Sequence, residues 1–196
     1  MSPFSQVGLL LVNTIGSLVL LIFLLRFLLQ LVRADFYNPI SQFVVRFSNP
    51  FLVPLRRIIP GFGGLDIASL VLAYSTQFLL MAAILFVAGE RALPWMNLVF
   101  WALIGLFSLL VNIYFWGLLI VVIASWIAPN SYNPALILIN QIIDPVMRPI
   151  RRIMPDLGGL DLSPIVLLLT IQVIEILVIY PAAQATMMPK ALAIAL

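Results

Sequence analysis

The ionisable side chains that could do chemistry in this chain are few, because the sequence contains no histidine and no cysteine. The commonest proton carrier and metal ligand is therefore missing, and so are thiol nucleophiles, disulfides and thiolate metal sites. The sequence has no GxSxG motif, and its only lysine is Lys190. We therefore expect that the protein is not an enzyme and that it has no catalytic residue, cofactor or metal site.

Two pairs of adjacent arginines are candidate contact residues: Arg56 with Arg57, and Arg151 with Arg152. Arginine attracts phosphate by charge and by bidentate hydrogen bonds, so these side chains are suited to anionic lipid headgroups or an anionic partner. Anchoring of a membrane topology is a simpler interpretation. Pairing with nearby aspartates is a third, and the sequence leaves all three open.

Four further polar residues lie inside long apolar segments: Arg26, Gln77, Gln172 and Glu175. If the segments are membrane helices, both glutamines lie about 16 Å from a helix start, where amides form interhelical hydrogen bonds or line a polar path. Arg26 is the natural partner for Glu175, although the two lie about 10 Å and about 21 Å from the same end. We treat these four as a candidate intramembrane polar network.

The composition assigns the chain to a bilayer, since 64% of its residues are hydrophobic and only 9% are charged. Soluble domains average about 25% charged residues. Apolar segments at about 7–32, 65–88, 98–127 and 160–180 are each long enough to cross the hydrocarbon. We predict an all-α membrane protein with four transmembrane helices.

The chain also repeats itself at an offset of 95 residues, with 16 of the 41 positions from Tyr37 to Gln77 identical to those from Tyr132 to Gln172. This duplication divides it into residues 1–94 and 95–196, each a helical hairpin. Because each copy has two spans, both copies enter the membrane in the same direction. Both connecting segments are therefore expected on one side.

The connecting segments are basic. They carry seven arginines, whereas the opposite side carries Arg91 and Lys190. This bias places the connections in the cytoplasm and both termini outside it. The seven are Arg33, Arg46, Arg56, Arg57, Arg148, Arg151 and Arg152.

Each connection also has an apolar stripe at helical spacing, which predicts a short helix lying in the headgroup plane. Asn49 before Pro50, and Asp144 before Pro145, should end this helix, and only a brief turn should follow. The stripe consists of Ile40, Phe43, Val44 and Phe47 in the first copy, and Ala135, Leu138, Ile139 and Ile142 in the second.

A glycine pair and an aspartate precede the second span of each copy, and this pattern predicts a tight turn followed by a capped helix start. A phosphate-binding loop is an alternative, but the GxxxxGK sequence is absent. A second alternative is that the two aspartates coordinate an ion together, near the pseudo-two-fold axis that relates the two repeats. The residues are Gly63, Gly64 and Asp66, and Gly158, Gly159 and Asp161.

The ordered motifs YNP, NP or DP, PxRR, GG and D, present twice, resemble the YggT family, called YlmG in many relatives. The resemblance implies an integral membrane protein of a bacterial envelope or plastid. It further implies links to osmotic or ion stress tolerance in some bacteria, and to cell division, nucleoid organisation or cytochrome assembly in others. It supplies no catalytic or ligand-binding residue.

These observations together predict a non-catalytic protein of the bacterial inner membrane that organises envelope proteins or assists their assembly. The expected partners are anionic lipid headgroups, other envelope membrane proteins, or further copies of the chain in a homo-oligomer. Direct contact with nucleic acid is not expected. The alternative is a component of an ion channel or transporter with a path between the two repeats.

Overall fold

The computed structural model describes residues 3–128, 131–154, 161–189 and 192, and this part of the chain is helical without a β-strand. Four of its helical segments are long and apolar enough to cross a membrane, so the four predicted spans are confirmed to within a few residues at each end. They are α1 (Pro3–Leu31), α3 (Ile67–Ala88), α4 (Trp95–Ile127) and a last span, Ser163–Ala185.

The last span is not a uniform α-helix. It consists of α6 (Ser163–Ile174), a π-helical turn (Glu175–Ile179) and α7 (Tyr180–Ala185). Tyr180 N–H donates to the Glu175 carbonyl, five residues back. Pro181 has no N–H to donate, and the widened turn lies immediately before it.

The first hairpin is formed by α1 and α3, which run antiparallel in close contact. Gly8 of α1 lies beside Val87, and Gly16 lies so close to Leu80 that an added Cβ would overlap its side chain. The start of α1 therefore packs against the end of α3, because both glycines let the backbones approach.

The second hairpin is formed by α4 and the last span. Trp101 near the start of α4 donates its indole N–H to the Thr186 carbonyl at 3.0 Å. Leu118 and Leu167 belong to one buried cluster towards the other end. This hairpin therefore runs in the same direction as the first, and α3 packs against α4 to join them. The tandem arrangement is as predicted.

The connections are longer helices than predicted. In the first repeat α2 (Pro39–Ile58) continues through Pro50 and Pro54, and in the second α5 (Pro134–Ile153) continues through its two aligned prolines. The expectation that Asn49 and Asp144 end these helices is wrong. The prolines lie on the exposed face of each helix, where the carbonyls they leave unbonded are accessible to solvent or headgroups.

Both connecting helices begin at the YNP sequence. Asn38 accepts a hydrogen bond from Ile40 N–H at 2.9 Å, and Asn133 accepts the same bond from Ala135 at 2.9 Å. Asparagine at the N-cap followed by proline is a favoured helix start, because proline has no N–H to leave unbonded. The repeated motif is thus a repeated helix cap.

The buried face of α2 differs from its most apolar face. Of the predicted stripe, Val44 is buried, but Phe43 and Phe47 lie on the surface. The buried residues of α2 are Ser41, Val44, Ser48 and Leu52, and those of α5 are Leu138, Ile142, Ile143 and Met147. The phenylalanines are therefore left available to lipid, as an interfacial helix requires.

The two connecting helices meet at one end of the bundle. Asn38 Nδ2 donates to the Pro134 carbonyl at 2.7 Å, and Asp35 N–H donates to Gln141 Oε1 at 3.1 Å. Val44 of α2 shares a buried cluster with residues of α5. Both connections consequently lie on the same side, as two parallel hairpins require.

Candidate functional site

The glycine pair of the first repeat forms a two-residue turn. Gly63 and Gly64 have φ of 60° and 84°, and the residues on either side, Phe62 and Leu65, exchange backbone hydrogen bonds of 3.2 and 3.0 Å. Positive φ at both central positions is typical of a type I′ turn, which glycine adopts without strain. Gly158 and Gly159 of the second repeat lie outside the described residues.

Asp66 follows this turn and joins three elements. As the N-cap of α3 it accepts hydrogen bonds from the N–H of Ser69, at 3.4 Å, and from its hydroxyl. Arg56 at the end of α2 donates to Asp66 Oδ2 at 2.5 Å and to Gln30 Oε1 of α1 at 2.9 Å. Arg56 therefore ties the end of α2 to the end of α1 and to the start of α3.

The second repeat has the same pair in a more open setting. Arg151 Nε donates to Asp161 Oδ2 at 3.1 Å, and Ser163 N–H donates to Asp161 Oδ1 at 2.9 Å. The Asp161 side chain is 47% exposed, whereas that of Asp66 is 3% exposed. Asp144 aligns with Asn49 of the first repeat. Its Oδ2 forms an ion pair with Arg148 Nη2 at 2.5 Å.

Asp66, the N-cap of α3, and Asp161, which lies one residue before the N-cap of α6, are both held in the charged form. Burial alone raises the pKa of Asp66, but hydrogen bonds from Arg56 and Ser69 and the charge of Arg56 outweigh it, so the pKa is lowered. Contacts with Ser163, followed by those with Arg151, likewise lower the pKa of Asp161 against a smaller effect of burial. Each carboxylate is thus occupied by an arginine and a helix start.

Arg57 and Arg152 differ from the arginines beside them. Both are exposed, and neither forms an ion pair with any residue that the structure describes. The local pairing left open by the sequence is therefore present for Arg56 and Arg151. Of the two arginine pairs, the second members are free to contact an outside group.

The four polar residues within the spans are not brought together, and no hydrogen bond or ion pair is found between any two of these described side chains. Gln77 is 1% exposed and lies against Gly105 of α4, with its Oε1 unpartnered in the described structure. Its repeat partner Gln172 is exposed on the surface of α6. Glu175 is partly buried at the start of the π-helical turn, and Arg26 is buried near the other end of the bundle, beside Phe36.

The sequence did not identify Gln30 or Phe36 as residues of this region, and it did not predict that Asn38 bridges the two repeats. Gln30 lies one helical turn after Arg26, so its position on the same face could have been found from spacing. Asn38 was visible as part of a repeated motif. Its contact with Pro134 depends on how two distant segments pack, which one sequence does not show.

The sequence model of the CCB3/YggT family matches residues 5–87 and again 100–182, one match for each hairpin. The chain belongs to this family. It is 52% identical over 183 residues to an uncharacterised protein of Pseudomonas aeruginosa, covering 93% of each chain. It is 40% identical over 168 residues to YggT of Escherichia coli, covering 84% of this chain and 85% of that one.

A further relative, an uncharacterised protein of Vibrio alginolyticus, is 38% identical over 163 residues, which cover 83% of this chain and 88% of the relative. No solved structure matches the chain. The family match and the four long apolar helices together identify a multi-pass membrane protein built from a tandem repeat.

Proposed function

We propose that this YggT family member is a non-catalytic inner-membrane protein that organises other envelope proteins or assists their assembly through the surface around Arg57 and Arg152. The observation that supports this most directly is the joining of α2 and α5 at one end of the bundle. The joined helices present both exposed arginines on a single side. We call the exposed surface around these two residues the basic end.

The arginine distribution supports a cytoplasmic position for the basic end, with both termini outside. Positive residues accumulate in cytoplasmic loops, and the connecting segments contain seven of the nine basic residues found outside the spans. In this position Arg57 and Arg152 face anionic lipid headgroups and the cytoplasmic parts of neighbouring membrane proteins. Further copies of the chain are one class of neighbour.

The absence of enzymatic activity is part of the proposal. The sequence lacks histidine and cysteine, and two carboxylates on this side, Asp66 and Asp161, are each engaged by an arginine. A carboxylate held ionised by an ion pair is a poor proton donor at neutral pH. We expect tolerance of osmotic or ion stress to be the cellular effect of the assembled proteins.

The proposal is tested by photocrosslinking in cells from Ile58 and Ile153, which are 80% and 83% exposed and follow the two free arginines. We expect both positions to capture the same membrane protein, identified by mass spectrometry. Capture should fall when Arg57 and Arg152 are both replaced by glutamine. Ala92, exposed in the loop at the other end of the bundle, is the control position.

Two results would count against the proposal. One is capture of unrelated proteins from Ile58 and Ile153, because a shared surface should have a shared partner. The other is an unchanged capture in the doubly substituted chain, which would mean that the arginines do not contribute to contact.

A further inference from the structure

Arg26 is a buried cation that forms no ion pair with any residue that the structure describes. It is 5% exposed, and its Nε and Nη1 atoms have no hydrogen-bond partner in the described structure. Its guanidinium carbon lies over the Phe36 ring, 5.8 Å from the ring centroid. A cation–π contact of this kind stabilises the charge but leaves the N–H donors along the guanidinium edge unsatisfied.

Arg26 borders a cleft of about 500 Å³ between the end of α1, the end of α2 and the glycine turn. This volume lies within the range of small-ligand sites, about 300–1,000 Å³. Its lining includes Arg26, Gln30, Arg33, Phe36, Arg56 and Gly64.

The cleft has an excess of positive charge. Three of its lining residues are arginines, and Asp66, the carboxylate beside it, is already engaged by Arg56. Arg26 and Arg33 form no ion pair in the described structure. Removing an arginine from water without pairing it is unfavourable, so an anion that enters this cleft recovers a large part of that penalty.

The end of α1 holds two of the donors on one face of the helix, since Arg26 and Gln30 lie four residues apart. Arg33 follows two residues after the last residue of α1. Arg33 has φ of 53°, in the left-handed region usually occupied by glycine at a helix end. An arginine there strains the backbone, and it adds to the cleft a second cation that forms no ion pair in the described structure.

The second repeat provides an internal comparison. Its cavity at the aligned place, about 550 Å³, is lined by Val121 and Ser125, which align with Arg26 and Gln30 at the 95-residue offset. That cavity keeps the ion pair of Arg151 with Asp161 but contains neither a buried free cation nor its amide neighbour. The two repeats have therefore diverged at the position where an anion would bind.

We propose that the cleft of the first repeat binds a phosphate group, with Arg26 and Arg33 as its main donors and Gln30 and Arg56 at its edge. Phosphate accepts the paired N–H bonds that a guanidinium offers. Arg26 lies five residues before the end of α1, or about 8 Å along the helix, which is within reach of headgroup phosphates at a membrane surface. The phosphate group belongs to an anionic phospholipid or to free inorganic phosphate.

This site does not depend on the proposed function. The cleft is lined by residues of the first repeat, whereas the partner surface contains Arg57 from the first repeat and Arg152 from the second. Loss of crosslinking at the basic end and loss of phosphate binding in the cleft would therefore be separate results.

The test uses the purified full chain in phosphatidylcholine nanodiscs, with the unfolding temperature as the readout, since a ligand that binds only the folded protein raises it. In one arm phosphatidylglycerol replaces part of the phosphatidylcholine. In the other, inorganic phosphate is added at constant ionic strength. Arg26→Gln and Arg33→Gln are the test variants, and Arg46→Gln, on the exposed face of α2, is the control with the same loss of charge.

We expect phosphatidylglycerol, inorganic phosphate or both to stabilise the unsubstituted chain. Arg26→Gln and Arg33→Gln should each weaken the apparent affinity by about tenfold, the size of effect expected for a charged hydrogen bond, and Arg46→Gln should change it less than twofold. Stabilisation by lipid alone identifies a headgroup site, and stabilisation by phosphate alone identifies a site for the free anion.

Absence of stabilisation in both arms would overturn the proposal. An equal loss of apparent affinity in Arg46→Gln would also overturn it, because the basic surface as a whole, and not the cleft, would then attract the anion. If Arg26→Gln does not fold, Arg33→Gln decides the question, since its side chain is exposed at a helix end; undiminished binding in that variant overturns the site.

Discussion

Asn38 and Pro134 lie 96 residues apart in sequence, yet the Asn38 amide donates to the Pro134 carbonyl at 2.7 Å. Asn38 also caps α2, so one side chain both starts its own helix and holds the start of α5. Asn133, which aligns with Asn38, caps α5 in the same way but is exposed. The duplicated motif therefore has one role that both copies share and one that belongs to the first copy.

Replacing Asn38 with alanine should destabilise the protein more than the same change at Asn133. Loss of an N-cap costs about 0.5–2 kcal/mol at either position. Asn38→Ala additionally leaves the Pro134 carbonyl without its donor, which adds about 1 kcal/mol. The measurement is chemical unfolding of the two purified variants in the same detergent.

Asn133→Ala is thus the matched control for the bridging bond. Equal losses in the two variants would show that the bond to Pro134 contributes nothing to stability. The predicted order, with Asn38→Ala the less stable, requires the two connecting helices to remain in contact in detergent.

The Arg56–Asp66 pair should make stability depend on pH in the acid range. Because the pKa of Asp66 is lowered in the folded protein, its contribution is fully present above the unfolded pKa of about 4 and is lost as pH falls from there through the folded pKa. Asp66→Asn should cost about 1–3 kcal/mol at neutral pH, since it removes a charged hydrogen-bond acceptor from a buried site. Unfolding measured between pH 3 and pH 7 checks both expectations.

Asp161→Asn is the comparison from the second repeat. Its pKa is also lowered, so the direction of the pH effect is the same, but the side chain is 47% exposed and solvent screens the pair. We expect Asp161→Asn to lower the free energy of unfolding by less than Asp66→Asn does. A larger loss would contradict the view that burial makes the first pair the stronger.

Much of the fold follows from sequence alone because its signals are strong and local. The spans are found from length and hydrophobicity, and the parallel hairpins follow from a repeat that contains an even number of spans. Helix α2 was predicted too short because proline was treated as a helix end. Pro50 and Pro54 are tolerated on an exposed face, and the orientation of that face depends on packing.

The candidate site was harder to predict because aligned residues that are identical in the two repeats have different surroundings in the structure. Gln77 and Gln172 are identical in the alignment, but the first is buried against Gly105 and the second is exposed. The sequence showed Arg26 as an isolated charge near a helix end. Only the structure shows that Phe36 covers it and that a cleft adjoins it.

The shared side of the two connections predicts a specific labelling pattern. The chain contains no native cysteine, so single cysteines at Ile58, Ile153, Ala92 and Met187 report accessibility without background. All four positions are exposed, and the first two align with each other, as do the last two. We expect an impermeant maleimide added to intact cells to label positions 92 and 187, and to reach 58 and 153 only after the inner membrane is opened.

Labelling of positions 58 and 153 from opposite sides would refute the parallel arrangement. Labelling of both from outside would keep the arrangement and reverse its orientation, which would place the basic end away from the cytoplasm. The two results are distinguished in one experiment because each pair of positions provides an internal standard for the other.

The contact between α1 and α3 predicts a difference between two glycines of the same helix. A Cβ at Gly16 would overlap Leu80 Cδ1, so Leu80, which is 7% exposed, would have to move within a packed cluster. A Cβ at Gly8 would lie 3.3 Å from Val87 Cγ1, a contact that a small adjustment accommodates. Gly16→Ala should therefore destabilise the protein by about 1–3 kcal/mol, whereas Gly8→Ala should change stability by less than about 1 kcal/mol. Thermal unfolding of both variants in one detergent measures the difference, and a stabilising Gly16→Ala would mean that the two helices are not in contact at this point.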